Sequence, residues 1–308
     1  MKRIYVIIVT WNGMKWIEKC FDALRDSTIP VEIVVVDNGS TDSTVSFIQE
    51  NCPEAFIIQT GKNLGFGQAN NVGIKHALNN GADFVYLLNQ DAYVFPDMFE
   101  HLLDAYADIE KCEVGILSPL HLYRDRRHFD CQFAGYLNGI AIKMAEDFLL
   151  SDIQKFYEAQ SVPAAGWLLP RKTLEMIGGF DPIFFHYGED HNYSQRVNYH
   201  SLKTFVVPAA KMIHDRDGYG NENMARKEMY FRTVKTEIAM NINLTKCQII
   251  LMMLKTHLKY SMESLKHICQ GNFRLFKELQ TAVPRNILYI NRYRNHRKAN
   301  KMSNGPWL

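Results

Sequence analysis

Short apolar runs alternate with segments of helical periodicity over the first 120 residues. The runs Ile4 to Thr10, Val31 to Val36, Phe56 to Gln59 and Phe84 to Leu88 are rich in β-branched and aromatic residues, and we predict them as strands. Between the first two runs, and again between the last two, apolar residues recur every three or four positions, which predicts helices. This alternation is typical of an α/β fold with a mostly parallel central sheet flanked by helices.

The pattern changes in the stretch from Val162 to Val207, where glycines, aromatic residues and acids cluster. We predict two short helices there, near Arg171 to Ile177 and from Glu189 to Tyr199, followed by a strand from Lys203 to Val207. We expect this stretch to complete a cleft that the first half begins.

Charge is divided unevenly along the chain. The net charge is only +2, but the part from Asn221 to the end carries +11 and the rest −9. Few glycines or prolines follow Asp217, so we predict an α/β domain over 1–217 and a basic helical extension over 218–308. Such an extension suits an anionic membrane surface, a nucleic acid or a solvated helical face, although no recognised nucleic-acid module accompanies it.

Composition excludes several classes of protein. With 47% hydrophobic and 22% charged residues among 308, the chain is globular and not disordered. Its six cysteines are widely spaced and form no CxxC pair, so we expect reduced thiols and not a disulfide scaffold or zinc site. The longest apolar run of the tail, Ile249 to Leu254, is too short to cross a bilayer. We therefore expect a cytoplasmic protein, either free or peripheral on the cytoplasmic face of the membrane.

Three polar loops follow predicted strands: Thr10 to Gly13, Asp37 to Asp42, and Asn89 to Asp91. Because the carboxyl ends of parallel strands share one edge of a sheet, we expect these loops to form one ligand site. Neither GxGxxG nor GxxxxGK[ST] is present, which disfavours a dinucleotide fingerprint and a P-loop. Asp37 suits a base N–H or ribose hydroxyl, and Asp91 suits Mg²⁺ or Mn²⁺ shared with substrate phosphates. The alternative for each is an ordinary turn residue.

Two adjacent acids, Glu189 and Asp190, stand at the start of a predicted helix behind an aromatic-rich segment. Acids at this position complement the helix dipole. A partly desolvated carboxylate is also the setting in which a general base is tuned. Spacing alone leaves both interpretations open.

Five motifs stand in order along the chain: Ile-Val-Thr-Trp-Asn-Gly, Val-Val-Asp-Asn-Gly-Ser-Thr-Asp, Lys-Asn-Leu-Gly-Phe-Gly-Gln-Ala-Asn-Asn, Leu-Leu-Asn-Gln-Asp, and Gly-Gly-Phe-Asp followed by Gly-Glu-Asp. In order and spacing they resemble those of family 2 glycosyltransferases of the rhamnosyltransferase-like branch. The resemblance covers about residues 3–215 and leaves the tail from about Tyr219 uncovered. It implies a GT-A fold that binds a nucleotide sugar and transfers the sugar to an acceptor hydroxyl with inversion.

The resemblance also implies a role for individual residues. Thr10, Asn12 and Asp37 would contact the nucleoside, and Asn63 and Gly65 would line the donor pocket. Asn89 and Asp91 stand in the position of an Asp-x-Asp motif that holds Mg²⁺ or Mn²⁺ against the diphosphate, and His214 would lie near the metal. Asp190 would be the general base, with Glu189 beside it. Asn89 replaces the first acid of the metal motif. Asn192 stands where the family often has a further Asp, while Arg196 keeps the usual basic position.

The acceptor side is less well defined. Trp167 is a candidate for stacking on a sugar or for core packing, and His186 and Tyr187 are candidates for acceptor contact or local packing. The implied reaction moves a sugar from a dTDP-rhamnose or UDP-hexose type of donor to a glycan, including a lipid-linked one, in cell-surface polysaccharide synthesis. A sugar nucleotidyltransferase is disfavoured because the loop after the first strand has one glycine and no arginine. A catalytically degenerate glycan- or nucleotide-sugar-binding protein is the alternative that Asn89 and Asn192 keep open.

Overall fold

A mixed sheet forms the centre of the fold in a computed structural model, which describes residues 2–109, 113–137, 139–216, 232–269 and 290–308. Its described strands are β1 (Ile4–Thr10), β2 (Glu32–Asp37), β3 (Ala55–Gln59), β4 (Phe84–Asn89), β5 (Ala92–Val94), β6 (Val114–Tyr123), β7 (Tyr157–Ala159), β8 (Gly166–Pro170) and β9 (Lys203–His214). They are ordered β3-β2-β1-β4-β8-β6-β9-β5, and β7 pairs with β9.

Helices cover both faces of the sheet. The described helices are α1 (Ile17–Arg25), α2 (Thr44–Asn51), α3 (Phe66–Asn79), α4 (Met98–Asp108), α5 (Cys131–Tyr136), α6 (Ile140–Leu149), α7 (Arg171–Ile177), α8 (Glu189–Tyr199), a π-helix (Thr233–Ala239), α9 (Lys246–Cys269) and α10 (Ile290–Asn300). In the described part of the chain, no helix is long and apolar enough to span a membrane.

The parallel half of the sheet agrees with the prediction. β3, β2, β1 and β4 run parallel, and the register sets Thr10 opposite Asp37 and Val9 opposite Asn89. The polar loops after these strands therefore emerge at one edge. The other half is mixed, because β8 runs antiparallel to both β4 and β6 while β6 and β9 are parallel. The pattern did not predict β6 or β8, and it ended β9 at Val207, seven residues early.

The core is divided between the two faces of the sheet by simple alternation. In β1, Ile4, Val6 and Ile8 pack on the side of α1 and α4, while Tyr5 and Ile7 pack on the side of α3, α7 and α8. All five side chains are at most 5% exposed. A strand buried on both faces reads as a continuous apolar run, which is why its sequence shows no polar alternation.

The end of the chain is anchored on the α/β body at the Gly-Gly-Phe-Asp motif. The buried Asp181 carboxylate forms an ion pair with Nδ1 of His296 at 2.5 Å and accepts a hydrogen bond from Nδ2 of Asn300 at 2.7 Å. The amide of Gly179 donates to the carbonyl of Pro306 at 3.0 Å. The described end of the basic extension therefore packs on the body. The predicted boundary at 217/218 lies outside the described residues.

Candidate active site

The carboxylate of Asp37 is held in place at the end of β2. Both of its oxygens accept backbone hydrogen bonds, from Gly39 at 3.2 Å and from Ser40 at 3.2 and 3.3 Å, and the hydroxyl of Thr10 lies 3.4 Å away. The side chain is only 3% exposed. A carboxylate fixed by its own loop is preorganised to accept a hydrogen bond from a ligand without losing side-chain entropy.

The loops beside Asp37 are joined by amide side chains. Oδ1 of Asn12 accepts the amide of Thr41 at 2.8 Å, so the loop after β1 holds the loop after β2. Oδ1 of Asn63 accepts the amide of Gly65 at 2.8 Å and the Nδ2 of Asn38 at 3.0 Å. The five residues predicted at the nucleoside and donor pocket thus belong to one hydrogen-bonded group of loops, in which Asn12 and Asn63 hold the backbone.

Gly65 brings these loops against the segment that precedes α8. Its φ is +81°, and a Cβ placed there would lie 2.0 Å from the carbonyl oxygen of Phe185. Two residues on, a Cβ at Gly67 would lie 3.6 Å from Cβ of Glu189. Only glycine allows this approach. The start of α8, with its two acids, therefore lies beside the start of α3.

Asp91 follows β4 and faces His214 at the end of β9. Oδ1 of Asp91 lies 3.5 Å from Nε2 of His214, and Nδ2 of Asn89 lies 3.4 Å from the same nitrogen. Burial alone would raise the pKa of Asp91, but the hydrogen bond and charge of His214 outweigh it and hold the pKa below its usual value. Asp91 is therefore a carboxylate anion at neutral pH.

These side chains make a partial ligand set for a hard divalent cation. Asp91 offers a carboxylate, His214 an imidazole nitrogen, and Asn89 a buried Oδ1 that has no hydrogen-bond partner among the described residues. Within the described residues, no group of three or more His, Cys, Asp or Glu side chains is placed to hold a metal. A Mg²⁺ or Mn²⁺ ion commonly takes one or two carboxylates from the protein and the rest of its oxygens from phosphates and water. The residues fit that arrangement.

Behind His214 lies a second layer of buried charge. Oδ2 of Asp130 is 3.5 Å from Nδ1 of His214 and 2.9 Å from Nε of Arg216, and its Oδ1 caps α5 by accepting the amides of Gln132 and Phe133. Asp130 is fully buried. Carboxylates that bind the far nitrogen of a ligating histidine fix its orientation. Because Nη2 of Arg216 lies 3.0 Å from the same Nδ1, Arg216 and Asp130 together hold the His214 ring with Nε2 toward Asp91.

The acid pair at the start of α8 has perturbed protonation. Burial and the charge of Asp190 raise the pKa of Glu189 to about 7, and Glu189 is 6% exposed. Burial also raises the pKa of Asp190, whose Oδ1 accepts the amide of His191 at 2.7 Å. Burial and the charge of Asp190 raise the pKa of the Tyr136 hydroxyl, which places α5 close to the acids. An acid with a pKa near neutrality is suited to proton transfer at physiological pH.

Comparison with known proteins identifies the chain. Residues 5–118 match the sequence model of the family described as glycosyl transferase family 2. A dTDP-rhamnosyl transferase of Shigella flexneri is 24% identical over 212 residues, 68% of each chain. An N-acetylglucosaminyl-diphospho-decaprenol L-rhamnosyltransferase of Mycobacterium tuberculosis is 26% identical over 234 residues, 68% of this chain and 75% of the relative. Residues 5–118 therefore form a family 2 glycosyltransferase domain.

The fold agrees with this assignment. A mannosyltransferase of Pyrobaculum calidifontis, solved with GDP-Man and Mn²⁺, superposes with a TM-score of 0.55 at 18% identity over 97% of this chain and 84% of that one. The likeness confirms the predicted GT-A fold.

The acceptor candidates of the glycosyltransferase differ in exposure. Trp167 is fully buried and stacks on Phe180 with ring centroids 6.0 Å apart. It therefore packs in the core, which is the alternative given for it above. His186 and Tyr187 lie on the exposed loop before α8, with ring centroids 3.9 Å apart. Of the three, only these two have a surface that an acceptor can reach.

Two residues of the α8 motif have structural partners. Arg196, fully buried, donates to the carbonyls of Gly179 and Ile177, and burial lowers its pKa to about 10. Asn192 is also fully buried and lies 3.5 Å from the carbonyl of Met240. In the glycosyltransferase, Asn192 therefore faces the C-terminal extension and not the donor loops.

Sequence reasoning missed several neighbours of the site, namely Asp130, Arg216, Tyr136 and Arg232. Arg232 and Asp190 lie close enough to interact, and the arginine stands 5.0 Å from the ring centre of Tyr187. The only local signal was Asp130, because an Asp followed by a helical run is a typical N-cap. Arg216 follows His214 by two residues, whereas Tyr136 and Arg232 come from segments distant in sequence from the motifs.

Proposed function

We propose that this enzyme transfers a sugar, with inversion, from a nucleoside diphosphate donor to a hydroxyl group of a glycan. The observation that supports the proposal most directly is the pair Glu189 and Asp190, which has raised pKa values and lies against the loops that follow the parallel strands. One wall of the cleft thus carries candidate bases and the other carries candidate donor ligands. That division is what a displacement at the anomeric carbon requires.

At the donor side, Asp37 and Thr10 bind the nucleoside and Asp91 faces the diphosphate. Asp91, His214 and Asn89 would hold a Mg²⁺ or Mn²⁺ ion, which would stabilise the charge that develops on the departing diphosphate. Arg216 and Asp130, at 3.0 and 3.5 Å from Nδ1, keep the His214 ring in orientation. The Mn²⁺ bound to the Pyrobaculum enzyme supports a divalent ion in this fold.

At the acceptor side, Asp190 is the general base. It removes the proton of the acceptor hydroxyl while that oxygen bonds to the anomeric carbon and the bond to the diphosphate breaks. Asp190 is partly exposed, whereas Glu189 is buried, so only the aspartate is open to an acceptor. Glu189 is a positioning residue that keeps the shared environment of the two acids poorly solvated. His186 and Tyr187 lie where the acceptor would enter.

The relatives suggest the substrates. Both are named as rhamnosyltransferases, one as specific for dTDP-rhamnose and the other for an N-acetylglucosaminyl diphosphate lipid. We therefore propose a dTDP-rhamnose or UDP-hexose type of donor and a lipid-linked glycan acceptor in cell-surface polysaccharide synthesis.

A donor panel tests the proposed activity. We expect one nucleoside diphosphate and its sugar to raise the unfolding temperature when Mn²⁺ or Mg²⁺ is present, because a ligand at 100 times its Kd adds about 2.7 kcal/mol of stability. The same sugar nucleotide should be consumed when N-acetylglucosaminyl diphosphate lipid is added. Nucleoside monophosphates serve as the matched control. Binding without turnover would favour the degenerate binding protein, and the absence of both would contradict the proposal.

The pH profile tests the role of the acid pair. Protonation of a base stops proton transfer, and burial raises the pKa of Asp190, so the transfer rate should rise with pH through a limb above the usual range of an aspartate and level off beyond it. Glu189→Gln removes the like charge beside Asp190, so the limb should move to lower pH while the plateau rate stays within about tenfold of wild type. Steady-state rates between pH 5 and pH 9 (about the range in which such acids titrate) measure both effects.

Stability supplies an independent control for the same acid. In the folded protein Glu189 keeps its proton up to about pH 7, whereas in the unfolded chain it loses the proton above its usual pKa of 4.5. The contribution of Glu189 to the free energy of unfolding therefore falls as the pH rises between those two values. Glu189→Gln should remove that slope. A limb or a slope that is unchanged in the variant would contradict the assignment.

A further inference from the structure

Within the part of the chain that the structure describes, helix α9 presents an apolar face to solvent. The side chains Ile250, Leu251, Leu254, Leu258, Met262 and Leu265 are each 53–61% exposed. At 100° per residue these positions fall within about 120° of arc, so they form one continuous stripe along the helix. We call it the α9 stripe. Soluble monomers rarely expose contiguous apolar surface of this extent.

A cavity of about 590 Å³ opens beside the α9 stripe, between the start of α9 and helix α10. Its wall includes the apolar side chains Ile249, Ile250 and Met253 and a set of cations. The cations are Lys246, Arg294, Arg297, Lys298 and Lys301, and no carboxylate is among the residues that line the cavity in the described part of the chain. Ile250 belongs to both the stripe and the cavity wall. The two features therefore form a single amphipathic surface.

The cavity is separate from the catalytic acids. Nζ of Lys301 lies 5.2 Å from the ring centre of Tyr199, at the last residue of α8, whereas Asp190 is in its first turn. An 11-residue helix is about 16 Å long, so Lys301 is near the far end of α8, and neither acid lines the cavity. Arg297 is fixed there by hydrogen bonds to the carbonyls of Ala239 and Leu244 at 3.2 and 2.9 Å.

We propose that this surface docks on a membrane, with the phosphate of an anionic phospholipid in the cavity and the α9 stripe lying in the headgroup region. Charge complementarity selects the occupant, because the cavity holds five cations beside an apolar wall. Lys246 and Lys255 stand just outside the stripe on either side, where long cationic side chains reach the headgroups while the stripe is immersed. Helix α9 lies parallel to the membrane plane in this arrangement, and the cleft of α8 faces lipid-linked glycans at the same surface.

Vesicle binding by the full-length chain tests the proposal without any donor, so its outcome is independent of the transferase activity. Wild type should sediment with vesicles of equal parts phosphatidylcholine and phosphatidylglycerol, and not with phosphatidylcholine alone. The triple variant Arg294→Gln, Lys298→Gln, Lys301→Gln should lower the partition coefficient on the order of a hundredfold, since each cation near an anionic surface contributes about fivefold. The matched control Lys19→Gln, Lys75→Gln, Lys172→Gln removes the same charge from exposed positions on the α/β body and should change binding far less.

Two further measurements separate the parts of this surface. Leu254→Ser with Leu258→Ser should weaken vesicle binding at least tenfold with an unchanged unfolding temperature, because both side chains are 61% exposed. Equal loss in the two triple variants would show long-range attraction without a site and overturn the proposal. Thermal stabilisation by inorganic pyrophosphate without vesicle binding would assign the cavity to a soluble phosphate and overturn it as well.

Discussion

Asp190→Asn should lower the rate of sugar transfer by about 10² to 10⁴ while leaving donor affinity unchanged. The substitution keeps the size of the side chain and its hydrogen bond from the His191 amide, but an amide cannot accept the acceptor's proton. The loss should therefore appear in kcat and not in the KM for the donor. Release of nucleoside diphosphate, with the lipid-linked acceptor present, measures both constants.

Glu189→Gln is the matched control for this prediction. It changes the adjacent acid in the same way, but its side chain is 6% exposed and packs beside Gly67, away from an incoming acceptor. Its effect on kcat at pH 8.5 (about the plateau of the expected profile) should be tenfold or less. If Glu189→Gln were the more damaging substitution, the roles of base and neighbour would be reversed. Equal activity of both variants and wild type would remove the pair from the reaction.

The parallel half of the sheet was predictable because each of its strands is a local pattern. β1 to β4 are apolar runs separated by helical periodicity, and their order follows from short crossovers. β6 and β8 were missed for a physical reason. Pro119 interrupts β6 where its register with β9 shifts, and β8 is a five-residue run whose pairing with β4 joins residues about 80 positions apart. Such pairing depends on tertiary contacts that no local period records.

The residues of the candidate site also divide into those within local motifs and those that only tertiary contacts bring to the site. Asp37 and Asn63 are held by partners in short strand-end loops, which lie within local motifs, whereas Asp91 faces His214 at the end of β9. Tyr136 belongs to α5 and Asp130 is its N-cap; this segment has no motif, and it reaches the site because the end of β9 pairs with β6 and β5. The contact between Asp181 and His296 joins residues 115 positions apart, and the sequence pattern did not predict it.

Asp91→Asn should abolish the dependence of donor binding and transfer on a divalent ion. The carboxylate anion faces Nε2 of His214 on this edge, and an amide of the same shape binds Mg²⁺ or Mn²⁺ far more weakly. Stabilisation of the departing diphosphate by a bound ion is worth several kcal/mol, so the rate should fall by about 10² or more. Titration of Mn²⁺ at fixed donor, read by thermal shift and by turnover, measures the two effects separately.

Asp215→Asn provides the control at the same edge. Its carboxylate is bound by the hydroxyl of Tyr93 at 3.0 Å and by Nε of Arg124 at 3.1 Å, so it is committed to partners away from His214. This variant removes the same charge within a few residues of the site and should keep the response to Mn²⁺. Loss of the response in both variants would indicate general electrostatics at the edge, whereas a normal response in Asp91→Asn would exclude Asp91 as a ligand. Only a selective loss in Asp91→Asn agrees with an ion held between this carboxylate and the diphosphate.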